Sequence, residues 1–588
     1  MILQALYEYY QRKASDPSNL IAPEGWEWKE IPYRIIINKK GEFVTIEDTL
    51  EGEGRNKRAK KFLVPQSVKR TSGKKAYLLW DNLEYALGAN PKKRDDVEEK
   101  FNLFKERIKK EIDVESIPSV QSLLKFLDNE PIKQIEQTLN PEQWEKILEE
   151  NPFVVFKIDE ESQSCICDDI RNKTKIDDSE TIEGICLITG KRDRIARLHP
   201  AIKGVRGTNT QGAALLSYNL PPFNSYGKKQ NFNSPVSQSA AFAYTTALNI
   251  LLGKESPNKI TIADSTIVFW SEKQAKEINP EEIFPWVIAM QKAEKDDPDA
   301  GVSKIKKLFE AIQTGQLSSE RTNHFYVLGL APNAARISVR FWKTPSVEDF
   351  GKNIKQHFED FEIVHGPKEQ KYLSLYQILS STALAYKMDN VPPNLTGAVI
   401  ESIIDGTPYP QSLLQQCIRR IRAEQNVNRA RAAILKACLN RKIRIQKLNQ
   451  KEITMSLDPN NTNVGYLLGR LFSVIERAQF VSNNYREPNS GIRDRFFGAF
   501  SSSPISVLPI LEKLYSYHYK KIKNDGKFRE ANRLEEWKKD IIEKLEAIKI
   551  PAHLTLENQA LFTIGYYHQK TEMDNQRQTK SENETNNN

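Results

Sequence analysis

The chain's seven histidines and five cysteines are the first place to look for chemistry. Cys165, Cys167, Cys186 and His199 have the side-chain types of a four-ligand zinc set. Their spacing argues against it, because a C-x-C followed by single, widely spaced ligands lacks the paired pattern of most zinc sites. Ordinary thiols and a structural histidine are expected, with no metal. No histidine precedes an aspartate and none sits in HExxH, so the common histidine-based metal-nuclease and metalloprotease signatures are missing. None of the six Gly-Lys pairs precedes Ser or Thr, which removes the Walker A loop. No carboxylate pair stands out as catalytic, and no cofactor is expected. The expectation is therefore a protein that is not an enzyme. A stand-alone nuclease with an unfamiliar active site is the alternative.

Positive charge is distributed more tellingly. Residues 55–75, RNKRAKKFLVPQSVKRTSGKK, hold nine Lys/Arg and no acid. Within them Lys69, Arg70, Thr71, Ser72, Lys74 and Lys75 join cations to small hydroxyls around Gly73, a composition that lets a backbone approach a duplex groove. Arg55, Lys57, Arg58, Lys60 and Lys61 are candidates for phosphate contacts. The following LLWDNLEYALG supplies Leu78, Leu79, Trp80, Leu83 and Tyr85 to anchor the loop. A solvated flexible loop is the bland reading of the same residues.

A second region, Arg194 to Lys254, has no Asp or Glu in 61 residues. Lys203, Arg206, Asn209, Gln211, Lys228 and Lys229 in it suit a surface lying along phosphates and sugars. Amide-stapled turns are the competing reading. Third, AARISVRFW alternates as a strand, with Arg336, Ser338 and Arg340 expected on one face and Ile337, Val339 and Phe341 on the other. Fourth, residues 417–447 carry ten Lys/Arg and one acid, Glu424. Arg419, Arg420, Arg422, Arg429 and Arg431 would form a positive ridge on helices there.

The elements that must position these residues follow from periodicity. YRIIINKKGEFVTIED reads as a hairpin, and residues 92–150 as a helical layer. Short strands follow in FVVFKI and GICLITG, then a helix in SAAFAYTTALNILLG, and strand pairs in NKITIADSTIVFWS and HFYVLGLAPNAARISVRFW. Beyond about residue 370 only amphipathic helices are expected. Val464, Leu467, Leu468, Leu471, Phe472 and Ile475 form one apolar stripe. The fold class is therefore α+β: a mixed α/β N-terminal and central region followed by a C-terminal α-helical bundle. The expected divisions are 1–110, 111–370, 371–454 and 455–570, with a disordered polar tail over 571–588. At 588 residues the chain is too long for one core. No apolar run reaches the ~20 residues of a membrane span. Its start reads as a first helix, not a signal peptide. Few, scattered cysteines suit a reducing cytoplasm. The net charge of +9 hints at an anionic partner.

Long blocks of the chain resemble a known family. VPQSVKRTSGKKAYLLWDN, CLITGKRDRIARLHPAIKGVRGTNTQGAALLSYNLPPFNSYGKKQNFNSPVSQSAAFAYTTALNILL, YVLGLAPNAARISVRFWKTPSVEDF and GYLLGRLFSVIERAQ together resemble the large subunit of the type I-C CRISPR surveillance complex (Cascade), the Cas8c/Csd1 type. The resemblance implies recognition of the short motif beside the target (the PAM) in double-stranded DNA, with help in strand separation and R-loop formation. It also implies several partners: CRISPR guide RNA, the backbone and guide-processing subunits of Cascade, and a recruited helicase-nuclease that does the cutting. In the family the C-terminal helical region is also made separately as the small subunit. Met455, ahead of SLDPNNTNVGYLLGRLF, is the candidate internal start. A scaffold binding only protein and guide RNA is a third reading.

Overall fold

In the computed structural model all residues are described except 17–20, 53–56, 69, 71–72, 91–93, 162–163, 172–181, 263–264, 276–278, 290–299, 318–320, 367–368, 393 and 586–588. Helix takes up 52% of the protein and strand 15%, an α+β fold whose last strand ends at Lys343. Two compact units divide the chain: residues 3–200 with 216–248, and residues 201–215 with 249–588.

The strands of the first unit are β1 (Trp26–Glu30), β2 (Tyr33–Ile37), β3 (Phe43–Asp48), β4 (Leu50–Glu51), β5 (Arg58–Ala59), β6 (Lys61–Pro65), β7 (Trp80–Asn82), β8 (Phe153–Ile158), β9 (Ile182–Ile185) and β10 (Arg192–Ile195). The hairpin expected around Lys40-Gly41 is β2–β3. It belongs to a four-stranded sheet of order β3-β2-β8-β7, in which β2 and β8 run parallel. Parallel neighbours need a crossover, and the chain between them includes the helices Val97–Glu111, Pro118–Asp128, Pro131–Thr138 and Pro141–Glu150. Proline opens three of these, where its missing N–H costs nothing. Phe156 of β8 meets Phe104 and Phe126 of this layer at 6.4 and 6.5 Å between centroids. Ile35, Ile37, Ile108 and Leu123 complete the centre of the core.

In the second unit β11 (Lys259–Ile262), β12 (Ser265–Ser271), β13 (Phe325–Asn333) and β14 (Arg336–Lys343) form an antiparallel meander, as the two expected strand pairs require. Strand β12 is buried along its whole length, so aromatic groups can cover both of its faces. Phe269 packs on Phe284 and Phe325 at 5.0 and 6.1 Å, while its neighbour Trp270 packs on Tyr326 and Trp342 at 5.4 and 5.5 Å. The alternation expected in β14 fails at Val339, which is 39% exposed. A register shift between Gly329 and Leu330 inserts an extra residue there and breaks the two-residue period.

Helices fill the rest of this unit, and one apolar core runs from the sheet to the last helix. The helix Val464–Ser482 is buried on nearly all sides, not along a stripe alone. It packs against Pro504–Asn524, Phe528–Glu546 and Leu556–Thr585, and even Arg470 is enclosed, donating to Gln569 Oε1 at 3.0 Å and Asp540 Oδ2 at 3.1 Å. Glycines let the central and last helices touch backbone to backbone. A Cβ on Gly469 would lie 1.9 Å from Phe562 O, and one on Gly565 would lie 2.2 Å from Tyr466 O. The last helix continues through most of the polar stretch expected to be disordered. Met573 is buried and Arg477 Nη1 meets Asp574 Oδ1 at 2.7 Å, contacts that composition alone does not reveal.

Candidate nucleic-acid interface

The basic loop of the first unit leaves the sheet at β6 and returns at β7. Strand β6 pairs with β1 over Lys61–Pro65, burying Phe62, Leu63 and Val64 and sending Lys61 outward. The expected anchors behind the loop, Leu78, Leu79, Trp80, Leu83 and Tyr85, are all buried. Trp80 Nε1 donates to Pro65 O at 2.8 Å, closing the loop at its base. Lys74 and Lys75 are exposed in the loop, and Lys57, Arg58, Lys60 and Lys61 are exposed before β6 and at its start. Arg55, Lys69, Thr71 and Ser72 lie outside the described residues.

Arg70 points inward. Its guanidinium lies between the rings of Tyr77 and Tyr85, 3.9 and 4.1 Å from their centroids. Its Nε donates to Lys75 O at 2.7 Å, and Nη2 is bonded to Asp81 Oδ2. Asp81 is fully buried and also accepts the Tyr77 N–H at 2.8 Å. Burial pushes its carboxyl up, the Arg70 charge pulls it down, and the balance stands at about 6. Asp81 is the residue that the sequence reading missed. The first acid after the basic stretch, eleven residues beyond Arg70 and between Tyr77 and Tyr85, was its signal. Lys74 is also engaged, bonded to Glu99 with Asp96 at 3.7 Å. The cations best placed to meet a polyanion are therefore Lys57, Lys60, Lys61 and Lys75. Arg70 holds the loop in shape.

In the second unit the structure joins two regions that are distant in sequence. The loop carrying Lys203, Arg206, Asn209 and Gln211 is closed by paired hydrogen bonds between Ile202 and Ala213, at 2.8 and 2.9 Å. Arg206 N–H donates to Thr266 Oγ1 at 3.0 Å, and Ile337 N–H donates to Ala214 O at 3.0 Å. These bonds fasten the loop to β12 and to the end of β14 that carries Arg336. All four loop side chains are exposed, with Arg206 3.8 Å from Asp389. Arg340 is exposed and donates to Asn394 Oδ1 at 3.2 Å. Lys228 and Lys229 are exposed in the first unit.

The positive ridge expected over 417–447 is mostly interior. On Gln411–Glu424, Arg419 and Arg422 are exposed, while Arg420 pairs with Glu424 at 3.2 Å. Arg431 is fully buried: Nε donates to Ser381 O at 2.9 Å, Nη1 to Asn426 O at 2.8 Å, and Nη2 is bonded to Glu424. Buried Arg429 donates Nη2 to Lys371 O at 2.7 Å and Nη1 to Gln370 O. Arg441, also buried, reaches Asp360 Oδ2 at 2.6 Å and Ser402 O at 2.8 Å. The reason is location, since the helix Arg429–Ile445 threads the core. Guanidinium forks there supply donors to carbonyls of loops and helix ends.

Cys165 and Cys167 sit side by side in the first unit's core, where burial pushes the Cys167 thiol well up. Cys186 Sγ accepts the Ser237 N–H at 3.3 Å. Burial raises that thiol, but hydrogen bonds with Ser237 and Thr189 outweigh it and bring it to about 7. His199 Nδ1 is 2.7 Å from Tyr244 OH. Among the described residues no group of three or more His, Cys, Asp or Glu could hold a metal ion, and no helix is long and apolar enough to cross a membrane. Met455 is half exposed, and its carbonyl accepts the Val364 N–H at 2.9 Å. Just before it, Asn440 clamps Ile453, donating to its O at 2.8 Å and accepting its N–H at 2.7 Å.

Two basic loops braced by sheets, one in each unit, present exposed cations. The family comparison gives these surfaces a context. Residues 6–573 match the model described as CRISPR-associated protein (Cas_Csd1), and the chain belongs to this family of CRISPR-associated proteins. A search of curated proteins gives no match.

Proposed function

We propose that this protein is the non-catalytic large subunit of an RNA-guided interference complex of the type I-C Cascade kind. In this reading it recognises the PAM in target double-stranded DNA, promotes strand separation and R-loop formation, and helps recruit a separate helicase-nuclease. Guide RNA, the backbone and guide-processing subunits, and a small subunit are its other partners. The observation that carries the reading is the basic stretch of the first unit, where Lys57, Lys60, Lys61 and Lys75 are exposed and Trp80 and Arg70 tie down the loop that follows β6.

The physical need is specific. Exchanging a DNA duplex for an RNA–DNA hybrid is nearly balanced, at roughly 1.4 kcal/mol of stacking per step on either side. Contacts to the flanking duplex must therefore favour opening of the first pairs. Fixed lysines do this through counterion release, and a rigid loop gives them register. The test is duplex capture by the assembled complex, with and without the correct flanking motif. Replacing the four lysines by alanine should weaken capture and flatten its salt dependence while assembly is kept. Equal capture by the variant, or indifference of the native complex to the motif, would refute the reading. Metal-dependent cleavage by the purified chain alone would favour a nuclease instead.

Met455 is proposed as the internal start of the small subunit. Only its backbone oxygen is used in the packing noted above, so Met455→Leu should leave the long product folded and abolish a co-purifying short one. Persistence of the short product would exclude this start.

A further inference from the structure

The turn Ser225-Tyr226-Gly227-Lys228 in the first unit has an unusual construction. Lys228 N–H donates to Ser225 O at 2.9 Å. Both central residues are left-handed, Tyr226 at φ 50° and Gly227 at φ 70°. Glycine accepts that conformation freely, and Asn or Asp would tolerate the first position, but a bulky aromatic residue is an outlier there. Among the described residues nothing rewards the tyrosine. Its side chain is 97% exposed and makes no hydrogen bond among the described residues.

The turn does not depend on Tyr226 for its shape. Asn233 staples both of its arms, with Oδ1 accepting the Ser225 N–H at 2.9 Å and Nδ2 donating to Lys228 O at 3.1 Å and Gln230 O at 2.9 Å. A rigid mount thus holds an aromatic ring out in solvent at a strained backbone position. Such an outlier, kept where packing gains nothing, points towards function.

The surroundings select the occupant. Lys228 and Lys229 follow directly, both exposed and neither in an ion pair among the described residues. The chain has no carboxylate from Arg194 to Lys254. An exposed ring beside two uncompensated cations matches a base flanked by phosphates. In a duplex the faces of the bases are covered by their neighbours, so the base offered to Tyr226 must be unpaired.

We propose that this turn is a stacking site for an unpaired nucleobase of a single-stranded nucleic acid, with Tyr226 as the platform and Lys228 and Lys229 as the phosphate contacts. It rests on the nucleic-acid reading of the preceding section and adds to it a separate single-strand site.

The experiment uses the full-length chain with a single-stranded DNA oligonucleotide containing 2-aminopurine, and a duplex of equal length. Tyr226→Ala should weaken single-strand binding about tenfold and abolish the fluorescence change, while duplex affinity and thermal stability stay unchanged. Tyr226→Trp should retain binding. Tyr226→Asn relieves the backbone, so it should melt no lower than the native chain and yet bind single strands as poorly as the alanine variant. Lys228→Ala with Lys229→Ala should reduce the salt dependence, which Tyr226→Ala leaves intact. Unchanged single-strand binding by Tyr226→Ala overturns the proposal, as does an equal loss on the duplex. A native chain that binds duplex but no single strand also overturns it while leaving the function proposed above standing. A native chain that binds neither also overturns it, and the function proposed above is then decided by duplex capture in the assembled complex. Tyr226-dependent binding of polyglutamate, with single-strand binding unaffected, would assign the turn to an acidic protein instead.

Discussion

Residues 57–75 and 417–447 are similarly rich in cations and poor in acids, yet the fold uses them in opposite ways. In the first stretch a two-stranded pairing and a tryptophan anchor push the lysines outward. In the second a core helix draws Arg429, Arg431 and Arg441 inward, where carbonyls and single carboxylates meet them. Arg70 behaves like the second group although it lies within the first. Side-chain type matters as well as region, because the buried cations of the second stretch are mostly arginines. A guanidinium can satisfy several acceptors in one plane while stacking on rings, so it survives burial. An ammonium on a flexible stem is better left in water. Lys436 is the exception, buried with Nζ 3.1 Å from Asp360 O.

Each side of this comparison can be broken by substitution. The largest effect is expected from Arg441→Ala, which leaves the buried Asp360 with Arg444 alone, at 2.9 Å, and should cost about 3 kcal/mol in urea unfolding. Nucleic-acid affinity of the folded fraction should not change. A loss of affinity without a loss of stability would mean that the helix is a binding ridge after all.

Next comes the pH dependence of Asp81. Its folded carboxyl keeps a proton up to about 6, against an ordinary aspartate value of 3.8. Between those values the folded chain binds more protons than the unfolded one, so this group's contribution to stability falls as pH rises from about 4 to about 6. At 1.36 kcal/mol per unit that is at most about 3 kcal/mol. The difference between native and Asp81→Asn unfolding curves, taken across that window, should show this limb, and a pH-independent difference would contradict it. Protonation also weakens the hold on Arg70, so the loop should loosen on the acid side.

A smaller loss, about 2 kcal/mol, is expected for Arg70→Ala, which leaves the Asp81 carboxylate without its charged partner. Lysine should not rescue it, because the position needs a flat group between two rings. Smallest in stability is the pair Lys60→Ala and Lys61→Ala, within about 0.5 kcal/mol. Those two should instead lower the slope of log affinity against log salt by about 2. An unchanged slope would remove them from the interface.

Local pattern carried much of the fold. The β2–β3 hairpin, the central strand pairs and the helices beyond 370 are legible because alternation, turn residues and amphipathic spacing act over a few residues. The bulge in β14 was not legible, since it arises from the register between two strands. Nor was the all-round burial of Val464–Ser482, which depends on how many helices surround it. For the candidate interface, the anchors Leu78, Leu79, Trp80, Leu83 and Tyr85 could be read from their apolarity. The inward turn of Arg70 could not, because side-chain direction is settled by a partner eleven residues away. The junction of Arg206's loop with β14 spans over a hundred residues and leaves no mark in local sequence.

Gly465, Gly469 and Gly565 bring the central and C-terminal helices so close that main chain meets main chain. Such a seam is keyed: one added methyl at any of the three positions would wedge the rods apart, and neither rod can rotate or slide past the other without collision. The final helix is therefore an axle of the bundle and not an appendage. Cutting the protein short before it would open a slot that no rearrangement of neighbouring side chains is shaped to fill.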